Sequence, residues 1–163
     1  MSAVADNAAL FRDAMAALVS GVAVVTARRG DRAPCGLVAT SVSAFSAAPP
    51  SVLVSIGHVS RCHDALIETE HFGVHLLSSD QEALAATFAG LGEDKFAGVE
   101  WSWDEDVPAL GGVVAYLRCR RSALFELYDH SILIGDVAGG AYHAREPLVY
   151  RERGMGWRLE PRA

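Results

Sequence analysis

A chain of 163 residues is long enough to bury one hydrophobic core and short for two. Its 51% hydrophobic and 21% charged residues exclude a disordered chain, and a formal net charge of -6 argues against a nucleic-acid partner, which needs a basic surface. Met1 to Asn7 has neither a basic nor a long apolar run, no stretch reaches the roughly 20 apolar residues of a membrane span, and Cys35, Cys62 and Cys119 show no CxxC spacing, so a reducing cytoplasm is expected.

The first predicted element is a helix over Ala8 to Val19, where Leu10, Phe11, Met15 and Leu18 recur at helical spacing and Asp6 or Asn7 stands ready to cap it. Gly21 to Arg28 reads as a strand because it is short and rich in valine. Arg29-Gly30-Asp31 is turn chemistry, which predicts a hairpin returning through Cys35 to Val38. Thr40 to Ser46 alternates small polar with apolar residues, and Pro49-Pro50 breaks it before a strand over Ser51 to Ile56. A helix is expected over Ser60 to Glu70 and a strand over Phe72 to Leu77, with Phe72, Val74 and Leu76 on one face. Ser79 and Glu82 form an S-x-x-E capping box for a helix to about Phe88, and Gly90 to Glu100 reads as a loop. Strands follow over Val113 to Phe125 and Ser131 to Ala138, joined by the polar corner Glu126 to His130. A last hairpin, Pro147 to Arg151 with Met155 to Leu159, turns at Arg153-Gly154.

Six to eight strands, about three helices and an order dominated by hairpins predict a mainly β domain rather than a Rossmann sheet. An antiparallel barrel with short helices at its rim is the natural solution. No repeat or linker divides the chain, so residues 1–163 are expected to form a single domain.

Four groups of residues can carry chemistry, and each also has an ordinary structural explanation. Gly36 to Ser41 is a strand end of small and hydroxyl residues that lets a planar ligand reach the backbone; it also suits any strand end. Ser60-Arg61-Cys62-His63, at an expected helix start, suits a phosphate, or is simply a serine cap beside a solvated arginine. Glu93-Asp94-Lys95-Phe96 places a cation beside an aromatic ring and holds the chain's one lysine, or is a charged loop. Asp129-His130 can act as an acid–base pair or cap a turn. No metal site is expected. His58, Cys62 and His63 lack a further ligand at metal spacing, and His71 and His75, four apart in a strand, stand about 13 Å from one another. There is no G-x-S-x-G elbow and no G-x-G-x-x-G fingerprint.

The order of these groups, more than any one of them, is informative. With Phe11 to Met15, Ser20 to Thr26, Ala48 to Val54, Asp94 to Val99, Ile134 to Val137 and Pro147 to Tyr150 placed between and around them, the chain from about Leu10 to Leu159 resembles the flavin reductase-like family. That resemblance implies an FMN-binding split β-barrel of antiparallel Greek-key type. It implies hydride transfer from NADH or NADPH to FMN or FAD, with reduced flavin passed to a partner monooxygenase, as in aromatic and polyketide hydroxylation. It also implies a homodimer. Residue by residue, Val38, Ala39, Thr40 and Ser41 match the loop lining the isoalloxazine and ribityl chain, and Ser55 and Ile56 the strand end facing the ring. Ser60, Arg61 and Cys62 match the phosphate turn, and Lys95 and Phe96 the pair that closes over the flavin. His130 matches the histidine beside the nicotinamide, and Tyr150 lies at the same mouth. The chain departs from the family with Val38 in place of threonine, Thr40 in place of asparagine or serine, Cys62 in place of a hydroxyl residue, and His75 where asparagine is common. Two alternatives stay open: a split-barrel protein that binds flavin or haem without reductase turnover, and an oxidase or oxygenase that uses the flavin itself.

Overall fold

The computed structural model describes residues 2–163, so Met1, where the segment inspected for a leader begins, lies outside the described residues. The chain is mainly β, as expected, with every strand pairing antiparallel. Helix α1 (Ser2–Ala17) is followed by β1 (Ser20–Gly21), β2 (Ala23–Arg28), β3 (Pro34–Ala39), β4 (Val42–Ala47) and β5 (Pro50–Gly57). Then come α2 (His63–Glu68), β6 (His71–Leu76), α3 (Glu82–Ala89), β7 (Trp101–Asp104) and β8 (Val107–Leu110). Strands β9 (Ala115–Leu127), β10 (His130–Tyr142), β11 (Val149–Arg151) and β12 (Gly154–Trp157) complete the chain.

Seven strands form one sheet in the order β3-β2-β6-β9-β10-β5-β4. Its two edges, β3 and β4, are consecutive in sequence and joined only by Thr40-Ser41. Two residues cannot cross the width of a flat sheet, so the sheet curls until its edges meet. At the β3–β4 connection Ser41 adds a rung to the β4–β5 ladder: its carbonyl accepts from the Ser55 N–H at 3.2 Å and its hydroxyl donates to the Ser55 carbonyl at 2.7 Å.

Strand β2 separates two packed regions. Ala23, Val25 and Ala27 face a core with Val54, Ile56, Leu66, Phe72, Val74 and Leu133. Val22 and Val24 face a second, with Leu77, Phe88, Phe96, Val107, Tyr116 and Leu148. A strand buried on both faces explains the uninterrupted apolar run at its centre. Both faces of β6 are buried too: Gly73 and His75 are covered as fully as Phe72 and Val74, while Leu76 at the strand end is 37% exposed.

Several local expectations need correction. Helix α1 extends through Asp6 and Asn7, so neither caps it, and its Leu10 and Phe11 are exposed. Helix α2 begins at His63, after a turn over Ser60 to Cys62, because Ser60 spends its hydroxyl on the Cys62 N–H and its carbonyl on the His63 N–H. Helix α3 has no Ser79 capping box. Gln81 is its N-cap residue, and the Gln81 side-chain oxygen accepts from the Ser78 N–H at 3.0 Å. The polar corner shrinks to Tyr128-Asp129, with Glu126 and His130 inside the strands and Tyr128 at φ 56°. The β7–β8 hairpin, turning through Glu105 at φ 56°, occupies sequence that gave no strand signal.

Candidate active site

The seam where the sheet closes also opens a cavity of about 450 Å³. Strand β3 and the connection after it contribute Val38, Ala39, Thr40 and Ser41; the end of β5 contributes Ser55 and Ile56. Ser60 and Arg61 enter from the turn before α2, Lys95 from the loop after α3, and His130 from the start of β10. Ten of the expected site residues, scattered over much of the chain, thus line one space. Cys62 and Phe96 do not line it; they lie in an adjoining chamber of about 350 Å³ that shares Arg61 and Lys95. Tyr150 lines a third space of about 300 Å³ on the other side of Val38, Ala39 and Thr40.

Small side chains keep the cavity open. Gly36, on the wall of the adjoining chamber, is fixed by close packing: a Cβ there would stand 2.6 Å from the Phe88 ring, which is buried against Phe96 at a centroid distance of 5.1 Å. Any larger residue at 36 would push Phe88, and with it the end of α3 and the Lys95 loop.

Two cations mark one end. Lys95 donates to the Phe88 carbonyl at 2.8 Å, and Arg61 donates to the Leu91 carbonyl at 2.9 Å. Both heads are therefore anchored, Lys95 to the last turn of α3 and Arg61 to the loop just after it. Partial burial lowers the Lys95 pKa, and nearby Arg61 lowers it further, so an anion placed between them gains two incompletely compensated charges. Because α2 starts only at His63, these side chains, rather than a helix dipole, make this end attractive to phosphate.

The other end carries His130. Its Nδ1 lies 2.8 Å from an Asp129 carboxylate oxygen, and that hydrogen bond holds the Asp129 pKa below the usual carboxylate range. Its Nε2 lies 3.6 Å from where a Gly57 Cβ would be, so a side chain at 57 would crowd the ring. The ring is thus held through Nδ1, with Nε2 beside Gly57 at the cavity wall.

Sequence reasoning did not single out Arg29 and Cys35 in the adjoining chamber, nor the Phe88 and Leu91 carbonyls that anchor the cations. A backbone carbonyl leaves no residue signature, and Arg29 reads as turn chemistry. The histidine cluster does acquire a third member: one atom each of His58, His63 and Glu126 falls within 4.8 Å of the others. Both ring nitrogens of His63 are already engaged, with Asp64 at 3.2 Å and the Ser131 hydroxyl at 2.8 Å.

A curled antiparallel sheet whose seam opens on small residues, with anchored cations at one end and a carboxylate-held histidine at the other, defines a barrel that takes a planar ligand with an anionic tail. The family model for the flavin reductase-like domain matches residues 15–157, and the chain belongs to that family. It is 37% identical over 152 residues to an NADH-dependent FMN reductase of Agrobacterium fabrum, covering 93% of this chain and 86% of that one. It is 41% identical over 148 residues to an NADH:riboflavin 5'-phosphate oxidoreductase of Streptomyces pristinaespiralis, covering 88% and 84%. Its fold matches the NADH:FAD oxidoreductase of Streptomyces globisporus, solved with NAD and FAD fragments, at a TM-score of 0.88 and 31% identity, covering 97% and 96%.

Proposed function

We propose that this protein is a single-domain NAD(P)H-dependent flavin reductase that passes reduced flavin to a separate monooxygenase. The observation that carries this reading is the one cavity shared by Lys95 and Arg61 at one end and His130 at the other. FMN or FAD, when bound, supplies the acceptor for the hydride of NADH or NADPH. The chain's own residues bind and orient. Lys95 and Arg61 hold the phosphate, with the Ser60 turn behind them. Val38, Ala39, Thr40, Ser41, Ser55 and Ile56 form a bed flat enough for the ring system, and the Ser41–Ser55 bonds keep it from spreading. His130, steadied by Asp129, hydrogen-bonds the nicotinamide side and fixes its approach, which is the main contribution a protein makes to such a transfer.

NADH is the donor named for the relatives of Agrobacterium fabrum and Streptomyces pristinaespiralis, which supports NADH here. A relative of Rhodococcus opacus, 35% identical over 86% of this chain, is the reductase component of a 4-nitrophenol monooxygenase, which supports release to a partner enzyme. Few hydroxyl contacts suit release: Val38 lines the cavity without a hydroxyl, and the Cys62 side chain does not reach it. We assign the protein to the cytoplasm on its free cysteines; among the described residues no helix is long and apolar enough to cross a membrane. A homodimer accounts for the apolar side chains left open on Leu10, Phe11, Phe125 and Leu127.

The test is NADH and NADPH oxidation by the purified protein with FMN, FAD or riboflavin added in turn. Flavin-dependent turnover, faster with NADH, is the expected result. Flavin binding without turnover for any pair would overturn the reductase reading in favour of a binding protein.

A further inference from the structure

The chamber beside the flavin cavity holds a feature that flavin reduction does not use. Its wall carries Cys35, from β3, and Cys62, from the turn before α2, and both also pack on the first core. They are not equivalent. Cys35 is half-buried and opens to the chamber, whereas Cys62 is buried and packs into the first core. The neighbouring Cys62 thiol lowers the Cys35 pKa, with Arg29 adding a smaller effect; the Cys62 pKa is raised by Cys35 and by burial. The pair therefore offers an attacking sulfur and a resolving thiol on the wall of one chamber. Cys119 provides an internal contrast: it is buried, its thiol is pushed up to about 12, and its contact is with the Leu117 carbonyl.

We propose that Cys35 and Cys62 form a peroxide-sensitive dithiol whose oxidation weakens flavin binding in the adjoining cavity. The regulatory part rests on the reductase reading. Reduced flavin that leaves the protein and meets dioxygen instead of a partner yields hydrogen peroxide, so the oxidant arises from idle turnover. The Cys35 thiolate attacks one peroxide oxygen, the O–O bond breaks, and hydroxide leaves, giving a sulfenic acid. The Cys62 sulfur then attacks the Cys35 sulfur; the S–O bond breaks, water carries off the Cys62 proton, and the S–S bond forms. In sum, two thiols and one peroxide become one disulfide and two waters.

The bond has a path to the flavin site. Bonded sulfurs stand about 2.05 Å apart, so closing the bond draws the Cys62 turn toward β3. That turn includes Ser60, whose hydroxyl accepts from the Cys62 N–H, and Arg61, whose head is anchored on the Leu91 carbonyl. Displacing a phosphate cation by about an ångström is expected to weaken flavin binding roughly tenfold.

The test treats flavin-free protein with hydrogen peroxide in the absence of NADH, blocks remaining thiols by alkylation, and maps peptides by mass. The expected product is a Cys35–Cys62 crosslink, reversed by dithiothreitol, with Cys119 alkylated. A Cys35 sulfinic acid, or full alkylation of both cysteines after peroxide, would overturn the dithiol. Flavin titration of the same samples is expected to show the tenfold loss in the native sequence and no response to peroxide in Cys35→Ser. A crosslink that leaves flavin affinity unchanged would overturn the regulatory role. Because the crosslink is read without flavin or NADH, its failure is distinguishable from failure of the reductase reading.

Discussion

The two halves of β9 lie in different surroundings. From Ala115 to Arg120 the strand is flanked by β6 on one side and β10 on the other, and Ala115, Tyr116 and Cys119 are buried. The last tie to the β6 side is the Arg121 N–H donating to the Glu70 carbonyl. Beyond it β9 keeps only β10 as a neighbour, and Leu124, Phe125 and Leu127, then Tyr128 at the turn, are exposed. A protein that presents a free strand edge with a row of large apolar side chains usually covers it. The first half therefore sets the stability of the protomer, and the second is the surface we assign to the second copy. His130, at the start of β10, follows directly on that surface, so the proposed dimer would have its contacts next to the proposed nicotinamide end of the cavity.

Substitutions that separate the halves sharpen this comparison. The largest effect is expected from Phe72→Ala. Phe72 pairs with Cys119 across the first half and is fully buried, so its loss should cost about 3–5 kcal/mol in urea unfolding. A cost below about 1 kcal/mol would mean that the first half is not the stabilising one.

Next comes pH. His75 pairs with Tyr116, stacks on it at 4.8 Å, donates from Nδ1 to the Val24 carbonyl, and has a buried Nε2 without a partner. Burial lowers its pKa from 6.5 to about 4. Between those values the unfolded chain binds the proton and the folded chain does not, so stability is full above pH 6.5 and falls as the pH drops toward 4. The loss from this residue should reach about 2 kcal/mol at pH 5 and be absent in His75→Asn. Equal pH slopes for the two proteins would contradict the assignment.

The second half should respond oppositely. Phe125→Ser is expected to leave protomer unfolding within about 0.5 kcal/mol while weakening self-association by about 1–2 kcal/mol, read by sedimentation over a concentration series. An unchanged association constant would remove this edge from the interface.

Much of this was legible in the sequence because it depends on local pattern. The hairpins of β2–β3 and β4–β5, the mainly β composition and the loop that carries Lys95 follow from valine runs, glycine turns and proline breaks. Ten site residues meet in one cavity because the family order carries their spacing even where no local physics shows it. What stayed hidden depends on contacts between distant segments. Strands β7 and β8 are held by pairing with each other and by packing Val107 and Leu110 into the second core, and Trp101 to Leu110 has too many charges to read as strands alone. Ser79 with Glu82 matched a capping box, but Gln81 captured the Ser78 N–H and shifted the helix start. The Cys35–Cys62 pair joins an edge strand to a helix turn, and no spacing rule announces it.

Steady-state NADH oxidation by Lys95→Ala and His130→Ala beside the native sequence tests most directly whether the two ends of the cavity are functionally distinct. Lys95→Ala is expected to raise the KM for flavin roughly tenfold with kcat little changed, the signature of lost binding shared by ground and transition states. His130→Ala is expected to lower kcat and raise the KM for NADH while leaving the KM for flavin alone. Identical changes in both variants, or native kinetics in both, would contradict the placement of flavin and nicotinamide at this cavity.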